Sequence, residues 1–393
     1  MNLYLFNPTH DLSLANYSST YMSPAPARRL SADLSLLPAW YACPESAVLA
    51  SSLYNLPFLK EKQTWFPELP RLLTEPEIAF LPTLTPVPWG WNPAIHRYLL
   101  SLGISAETLP DKEQLAAIRE QSHRLFAVNL LPVLQIDTNF CGKSFYLTNT
   151  NDVRYFVENH EISLLKAPLS GSGKGLNWCQ GIYTPLINRW SAHAIHQQGG
   201  VIAEPVYHKV TDFAMLFYAA GHGTVTFAGY SLFQTNANGT YESNTLLPDK
   251  MIEQQLARYV PLSALCKLRL CIEKELSIRL SDAYTGYLGI DMMICRFSGT
   301  PEYRIHPCVE INLRMTMGVV ARLFYDRYVQ PEAEGIFKVK SFSSPDRLAA
   351  EHFRLVKESP LSVSGEKITA GYLPLVPVTP HSQYTASALL YKS

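Results

Sequence analysis

The sequence predicts a mixed α/β (α+β) protein built from about two to four domains. Three observations carry that expectation. The chain has 393 residues, more than one ordinary domain needs. Short apolar runs alternate with helical stretches along its first half, and two long apolar strands read as a hairpin further on. Hydrophobic residues make up 47% of the chain and charged residues 17%, so there is ample apolar surface to offset the entropy of ordering, and disorder is excluded. The 33 basic and 33 acidic residues cancel. A neutral chain argues against a general nucleic-acid or anionic-membrane binder, because those need a basic surplus.

Each element follows from its local pattern. Residues 3–6 read as a short buried strand, closed by Asn7-Pro8 and the polar Thr9-His10-Asp11. Residues 27–36 read as a helix and 47–50 as a second strand. Seven prolines between positions 67 and 93 fix φ and remove donors, which predicts extended, irregular chain. That stretch ends in Pro88-Trp89-Gly90-Trp91-Asn92-Pro93, before a helix over 94–102. A helical pattern covers 111–131, and a helix over 152–159 takes Asn149 or Asn151 as its cap. A strand over 162–167 leads into a glycine-rich loop, then a helix over 184–198 and a strand over 201–206. Two strands within 212–230 meet at Gly221-His222-Gly223, and a long helix covers 262–280. Strands over 286–297 and 303–312 form the hairpin, and 335–393 is an accessory segment ending in extended chain.

Seven scattered cysteines (Cys43, Cys141, Cys179, Cys266, Cys271, Cys295 and Cys308) contain no CxxC pair and no disulfide framework. No run approaches the ~20 apolar residues of a membrane span, and the N-terminus lacks the basic flank of a signal peptide. The expectation is a reduced, cytoplasmic protein with no membrane association.

Three clusters could carry chemistry. In the first, Lys166 ends an apolar strand and Ser170-Gly171-Ser172-Gly173-Lys174-Gly175 follows. Glycines at that density expose backbone N–H groups, and two lysines supply the positive charge a phosphate requires. This is not a Walker A loop, because Pro168 stands where the first Gly is needed and Gly175 where Ser or Thr would bind Mg²⁺. In the second, Glu204 ends an apolar strand and Asp212 follows eight positions later; such acids can accept hydrogen bonds from ribose hydroxyls. The third is the sharpest. Asp291 interrupts the apolar Gly289-Ile290-Asp291-Met292-Met293-Ile294, while Glu310 and Asn312 share one face of the next strand and Arg314 continues that face. A few oxygen ligands from two strands suit Mg²⁺ whose shell nucleotide phosphates complete.

The order of these motifs, a strand lysine with a glycine-rich flap, a strand with two spaced acids, an Asp strand and Glu310-x-Asn312-x-Arg314, resembles the ATP-grasp superfamily over residues 114–328. The resemblance implies a pre-ATP-grasp α/β domain over 1–110, an ATP-grasp first lobe with the flap over 111–205, and a second lobe with the metal site over 206–334. It implies that Arg124 and Lys166 contact phosphates, that Ser172, Gly173 and Lys174 form the flap, that Glu204 and Tyr207 hold the adenine, and that Asp212 binds the ribose. Asp291, Glu310 and Asn312 would hold one or two Mg²⁺, with Mn²⁺ as an alternative ion, and Arg314 and Lys166 would serve catalysis. The activity implied is an ADP-forming ligase joining a carboxylate to an amine through an acyl-phosphate. The alternatives are a kinase-like phosphotransferase and a non-catalytic nucleotide-binding module. Small molecules are the partners expected, with a homodimer as the one protein assembly considered. Substrate contacts are sought in Asn7, His10, Asp11, Trp89 and Trp91, and less so in His381, Gln383 and Tyr384.

Overall fold

Four short parallel strands open the chain: β1 (Asn2–Leu5), β2 (Ala47–Leu49), β3 (Arg71–Leu73) and β4 (Thr85–Pro88), in the order β3-β2-β1-β4. The computed structural model describes residues 1–81, 83–171, 175–236 and 241–391. Helices α1 (His10–Asn16), α2 (Ala25–Asp33), α3 (Asn55–Gln63), α4 (Glu75–Ile78) and α5 (Pro93–Ser101) connect and cover these strands. The proline-rich stretch is thus more regular than its composition predicts. β4 carries Pro86 and Pro88 because it lies at the sheet edge, where missing N–H donors cost least.

The period-two rule assigns the two faces of β1. Leu3 and Leu5 enter a core with Ile95 and Leu99, whereas Tyr4 and Phe6 enter a second core shared with the rest of the molecule. In that shared core Trp40 meets Phe66, Phe324 and Tyr328 edge-on at centroid distances of 5.7, 5.7 and 5.3 Å. Its indole N–H donates to the Leu375 carbonyl at 2.6 Å.

The predicted 111–131 helix is two helices, α6 (Lys112–Gln121) and α7 (Leu125–Leu134). The Arg124 N–H donates to Pro168 O at 3.0 Å, so the helical ladder breaks there in favour of a tertiary bond. A four-stranded antiparallel sheet follows, made of β5 (Phe145–Leu147), β6 (Ser163–Lys166), β7 (Leu176–Cys179) and β8 (Val201–Pro205), in the order β5-β8-β6-β7. Helices α8 (Thr150–Glu158) and α9 (Pro185–Gln198) supply its core through Val153, Val157, Ile187 and Ala194. Asn149 caps α8 by accepting from the Asp152 N–H at 2.9 Å.

The remainder is one nine-stranded antiparallel sheet in the order β13-β12-β9-β10-β11-β14-β17-β16-β15. Its strands are β9 (His208–Gly221), β10 (Thr224–Thr235), β11 (Tyr241–Leu246), β12 (Gly286–Arg296), β13 (Tyr303–Asn312), β14 (Gly335–Ser341), β15 (Ser362–Ser364), β16 (Lys367–Pro374) and β17 (Tyr384–Leu390). Helices α10 (Asp249–Leu256) and α11 (Leu262–Leu280) cover the face lined by Phe213, Met215, Ile290 and Met292. Helix α12 (Met317–Tyr328) covers the face lined by Ala214 and Leu216 and meets Trp40, and α13 (Pro345–Glu358) flanks β16. Residues 335–390 therefore extend the sheet that carries the acid strands.

Trp40 is 1% exposed, so truncation leaves a large void between the N-terminal domain and α12. Trp40→Ala is expected to lose about 3–5 kcal/mol in equilibrium denaturation. A loss below about 1 kcal/mol would mean that this junction holds the two parts only loosely.

Candidate active site

Asp291 and Glu310 face each other directly across the β12–β13 ladder, and Gly289 pairs with Asn312. The register shifts just after Asp291, and bulges of this kind re-aim side chains next to active sites. Burial raises the Asp291 carboxyl to about 7, and the neighbouring Glu310 charge adds to the shift. The Asn312 amide donates to Asp291 Oδ2 at 3.1 Å. Strand β13 ends at Asn312, yet Arg314 still reaches the same site and donates to Asn312 Oδ1 at 3.0 Å.

The arginine is held from the other end of the chain. Arg314 Nε and Nη2 each donate to an Asp11 carboxylate oxygen at 2.7 Å, a bidentate pair. Burial alone would push Asp11 up, but Arg314 outweighs it and leaves that carboxyl below the usual range. A Cβ on Gly171 would come within 2.0 Å of Asp11 Oδ2, so only glycine lets the base of the loop pass the pair.

Two further buried cations converge on the acid strands. Arg124 donates from Nη2 to Glu310 Oε1 at 2.6 Å and from Nη1 to Ser170 Oγ at 2.6 Å, while its Nε has no partner among the described residues. Lys166 Nζ lies 2.6 Å from Glu204 Oε2, and the two side chains are 5% and 9% exposed. Ser144 Oγ donates to the other Glu204 oxygen at 2.9 Å. Lys166 is therefore buried and paired, and Glu204 is its counter-ion as well as a strand end.

Tyr207 packs near His306 and Phe297, at ring distances of 5.8 and 6.0 Å, and burial raises its phenol. Asp212 accepts from Lys209 at 2.5 Å and from Thr235 Oγ1 at 3.2 Å, at the start of β9. Ser172, Gly173 and Lys174 lie outside the described residues. Of the N-terminal candidates, Asn7 ties the first loop to Gly90 through bonds of 2.8 and 3.4 Å, and Trp91 packs between two cores. His10 is buried against Gly90, and burial lowers its ring to about 4. His381 is exposed, and the backbone amides of Gln383 and Tyr384 bond Asp33 at 2.9 and 3.0 Å; none of the three lines the site.

A cavity of about 220 Å³ opens beside the acids. Asp11, Trp89, Asp291, Glu310, Asn312 and Arg314 form one side of it. Leu30, Ser231, Phe233, Tyr241, Asn244 and Met317 form much of the other. Sequence reasoning misses this second wall. It gathers Leu30 of α2, Ser231 and Phe233 of β10, Tyr241 and Asn244 of β11 and Met317 of α12, segments that only the tertiary fold brings together. The donor set suits Mg²⁺: two carboxylates and an amide oxygen leave most of a hard cation's shell to phosphate and water. Among the described residues no group of three His, Cys, Asp or Glu side chains could hold a metal unaided.

No family model and no curated protein matches the sequence. Solved structures do match it in fold. Biotin carboxylase from Campylobacter jejuni, in a β-γ-ATP complex, aligns with TM-score 0.52 and 11% identity over 100% of this chain and 87% of its own. N5-carboxyaminoimidazole ribonucleotide synthetase from Thermus thermophilus gives 0.51 and 12%, over 100% and 94%. The biotin carboxylase domain dimer of Hydrogenobacter thermophilus 2-oxoglutarate carboxylase, with MgADP, ADP and bicarbonate, gives 0.50 and 11%, over 100% and 86%. The chain has the ATP-grasp fold. At these identities the likeness concerns the ATP-grasp architecture and its N-terminal domain, as the motif order implied. No helix among the described residues is long and apolar enough to cross a membrane.

The buried pair makes Lys166 a structural residue too. Lys166→Ala is expected to lose about 3–5 kcal/mol in denaturation, because Glu204 is left buried without its counter-ion. Lys166→Met with Glu204→Gln should recover most of that loss. Equal losses in the single and double variants would show that the pair contributes no coupling.

A second expectation concerns pH. His306 is fully buried, both ring nitrogens lack partners among the described residues, and burial lowers the ring to about 4 despite facing Glu204, with Lys166 opposing protonation. Unfolded histidine protonates near pH ~6.5. The unfolded chain therefore binds more protons between pH ~6.5 and ~4, so His10 and His306 make stability fall as pH drops through that window. Asp291, raised to about 7, acts in the opposite sense. His306→Phe should flatten the loss measured between about pH 7 and about pH 5. An unchanged slope would place the pH dependence elsewhere.

Proposed function

We propose that this protein is an ATP- and Mg²⁺-dependent, ADP-forming ligase that joins a small-molecule or peptide carboxylate to an amine through an acyl-phosphate. The observation that carries the reading is the Asp291–Glu310 pair with Asn312 and Arg314, opening on a cavity that Asp11 and Trp89 reach from the N-terminal domain. Support comes from the ATP-grasp neighbours, a synthetase and carboxylases, two of them carrying adenine nucleotides and one of those MgADP.

Asp291, Glu310 and Asn312 would hold the cation. When bound, it supplies charge neutralisation for the transferring phosphoryl group, the dominant requirement in such chemistry. With a cation held there, Glu310 would no longer need Arg124 as its partner, and the guanidinium would be available to a phosphate. Lys166 brings a second buried positive charge. Arg314, fixed by Asp11 and Asn312, stabilises the negative charge that develops as the substrate carboxylate attacks the γ-phosphate. The amine then displaces phosphate from the acyl-phosphate. Ser172, Gly173 and Lys174 serve the triphosphate, Glu204 and Tyr207 the adenine, and Asp212 the ribose. In this reading the protein works in the cytoplasm.

Turnover distinguishes the outcomes. A ligase releases ADP and phosphate together only when an acid and an amine are present. With ¹⁸O in the acid's carboxylate, label passes into the released phosphate; phosphate without label would eliminate the acyl-phosphate route, and ADP without phosphate would assign a kinase. Glu310→Gln should lower Mg²⁺-dependent turnover on the order of 10²–10³-fold with the fold retained. Wild-type rates in that variant would refute the assignment of the acid strands.

A further inference from the structure

The cavity's lining narrows the substrate class, an inference that rests on the ligase reading. Among the described residues Arg314 is the one cation that lines it, and Asp11 already neutralises that charge bidentately. The polar groups on the far wall are neutral and bonded to one another. Asn244 Nδ2 donates to Ser231 Oγ at 2.5 Å, and Tyr241 OH donates to Asn244 Oδ1 at 2.6 Å. Ser231 and Asn244 are 4% and 1% exposed, so this network is built into the wall. Leu30, Trp89, Phe233 and Met317 supply an apolar surround.

A phosphate group carries nearly two negative charges and three strong acceptor oxygens, and it needs free cations or several unspent donors. Among the described residues the far wall offers no free cation, and Tyr241 and Asn244 spend their donors within the wall. A single carboxylate is a better match at the near end. Arg314 lies there, the first turn of α12 (Thr316, Met317 and Gly318) borders the cavity, and a bound cation would offset Asp291 and Glu310. The size fits a ring. A cavity of about 150 Å³ admits benzene, and this one measures about 220 Å³.

We propose that this cavity is the phosphoryl-acceptor site, and that it takes a small, unphosphorylated carboxylic acid with an apolar, ring-sized body. Until a cation is bound, the three carboxylates Asp11, Asp291 and Glu310 outnumber the two guanidinium groups paired with them, Arg314 and Arg124, and the surplus negative charge disfavours such an acid. Acid binding therefore follows binding of the metal–nucleotide complex.

Calorimetric titration of the full chain with phenylacetate, L-phenylalanine and cyclohexanecarboxylate, with and without MgADP, tests this against 3-phosphoglycerate and O-phosphoserine. At least one ring-bodied acid should bind in the presence of MgADP, roughly tenfold or more tighter than either phosphorylated acid. None should bind without it. Met317→Trp and Leu30→Trp fill the cavity from two different elements. Each should abolish acid binding while keeping MgADP affinity, and that affinity also verifies folding. Preference for a phosphorylated acid, no binding by any ring-bodied acid, or retained binding in both filled variants overturns the proposal. The two readings fail separately. Ring-bodied acids that bind with MgADP but never yield ADP and phosphate with any amine sink the ligase reading alone. Ligation driven by a phosphorylated acid sinks the cavity assignment alone.

Discussion

Two carboxylates placed opposite each other on neighbouring strands of a buried sheet set the terms for the rest of this molecule. Asp291 and Glu310 occupy one rung of the β12–β13 ladder, with α12 and the N-terminal domain on their side and an apolar core on the other. Like charges at that separation destabilise unless something compensates. The protein compensates with one hydrogen bond or ion pair from each direction. Asn312 donates to Asp291, Arg124 arrives from α7 to pair with Glu310, and Arg314 spans Asn312 and Asp11. Burial first, and the facing Glu310 charge second, raise the Asp291 carboxyl, so ionising it calls for a further positive charge such as a divalent cation.

The packing of the domains serves the same end. Trp40, Phe66, Phe324 and Tyr328 knit the N-terminal domain to α12, the helix that begins three residues after Arg314. That junction carries Asp11 to Arg314 across 303 residues of sequence. The absence of a side chain at Gly171 lets the loop after Lys166 pass directly over the pair. The acid strands, the N-terminal domain and the base of the glycine-rich loop thus meet at a single point, beside the cavity.

The parts of this arrangement carried by local pattern were legible in the sequence. The apolar run marked Asp291 as the one acid of its strand, and period-two alternation put Glu310 and Asn312 on one face, which fits the ladder. Asn149, one of the two caps the sequence offered, caps its helix. What the sequence withheld depends on contacts between distant segments. The break between α6 and α7 answers to a carbonyl at Pro168, and no helical periodicity records that. The Lys166–Glu204 pair joins two strand ends that each resemble solvated termini when read alone. The far wall of the cavity gathers residues of α2, β10, β11 and the start of α12, and Ser231 and Asn244 acquire meaning only through their bond to each other. Residues 335–390 read as an appendage because β-pairing with β11 leaves no trace in composition.

The central claim is that Asp291 and Glu310 form a cation site completed by nucleotide phosphates. The most direct test is the affinity of ATP for the full chain by calorimetry, with and without Mg²⁺, in the wild type and in Asp291→Asn. The account predicts that Mg²⁺ tightens ATP binding by roughly tenfold or more in the wild type and leaves it nearly unchanged in the variant. Equal ATP affinity with and without Mg²⁺ in the wild type, or a full Mg²⁺ effect in Asp291→Asn, would contradict it.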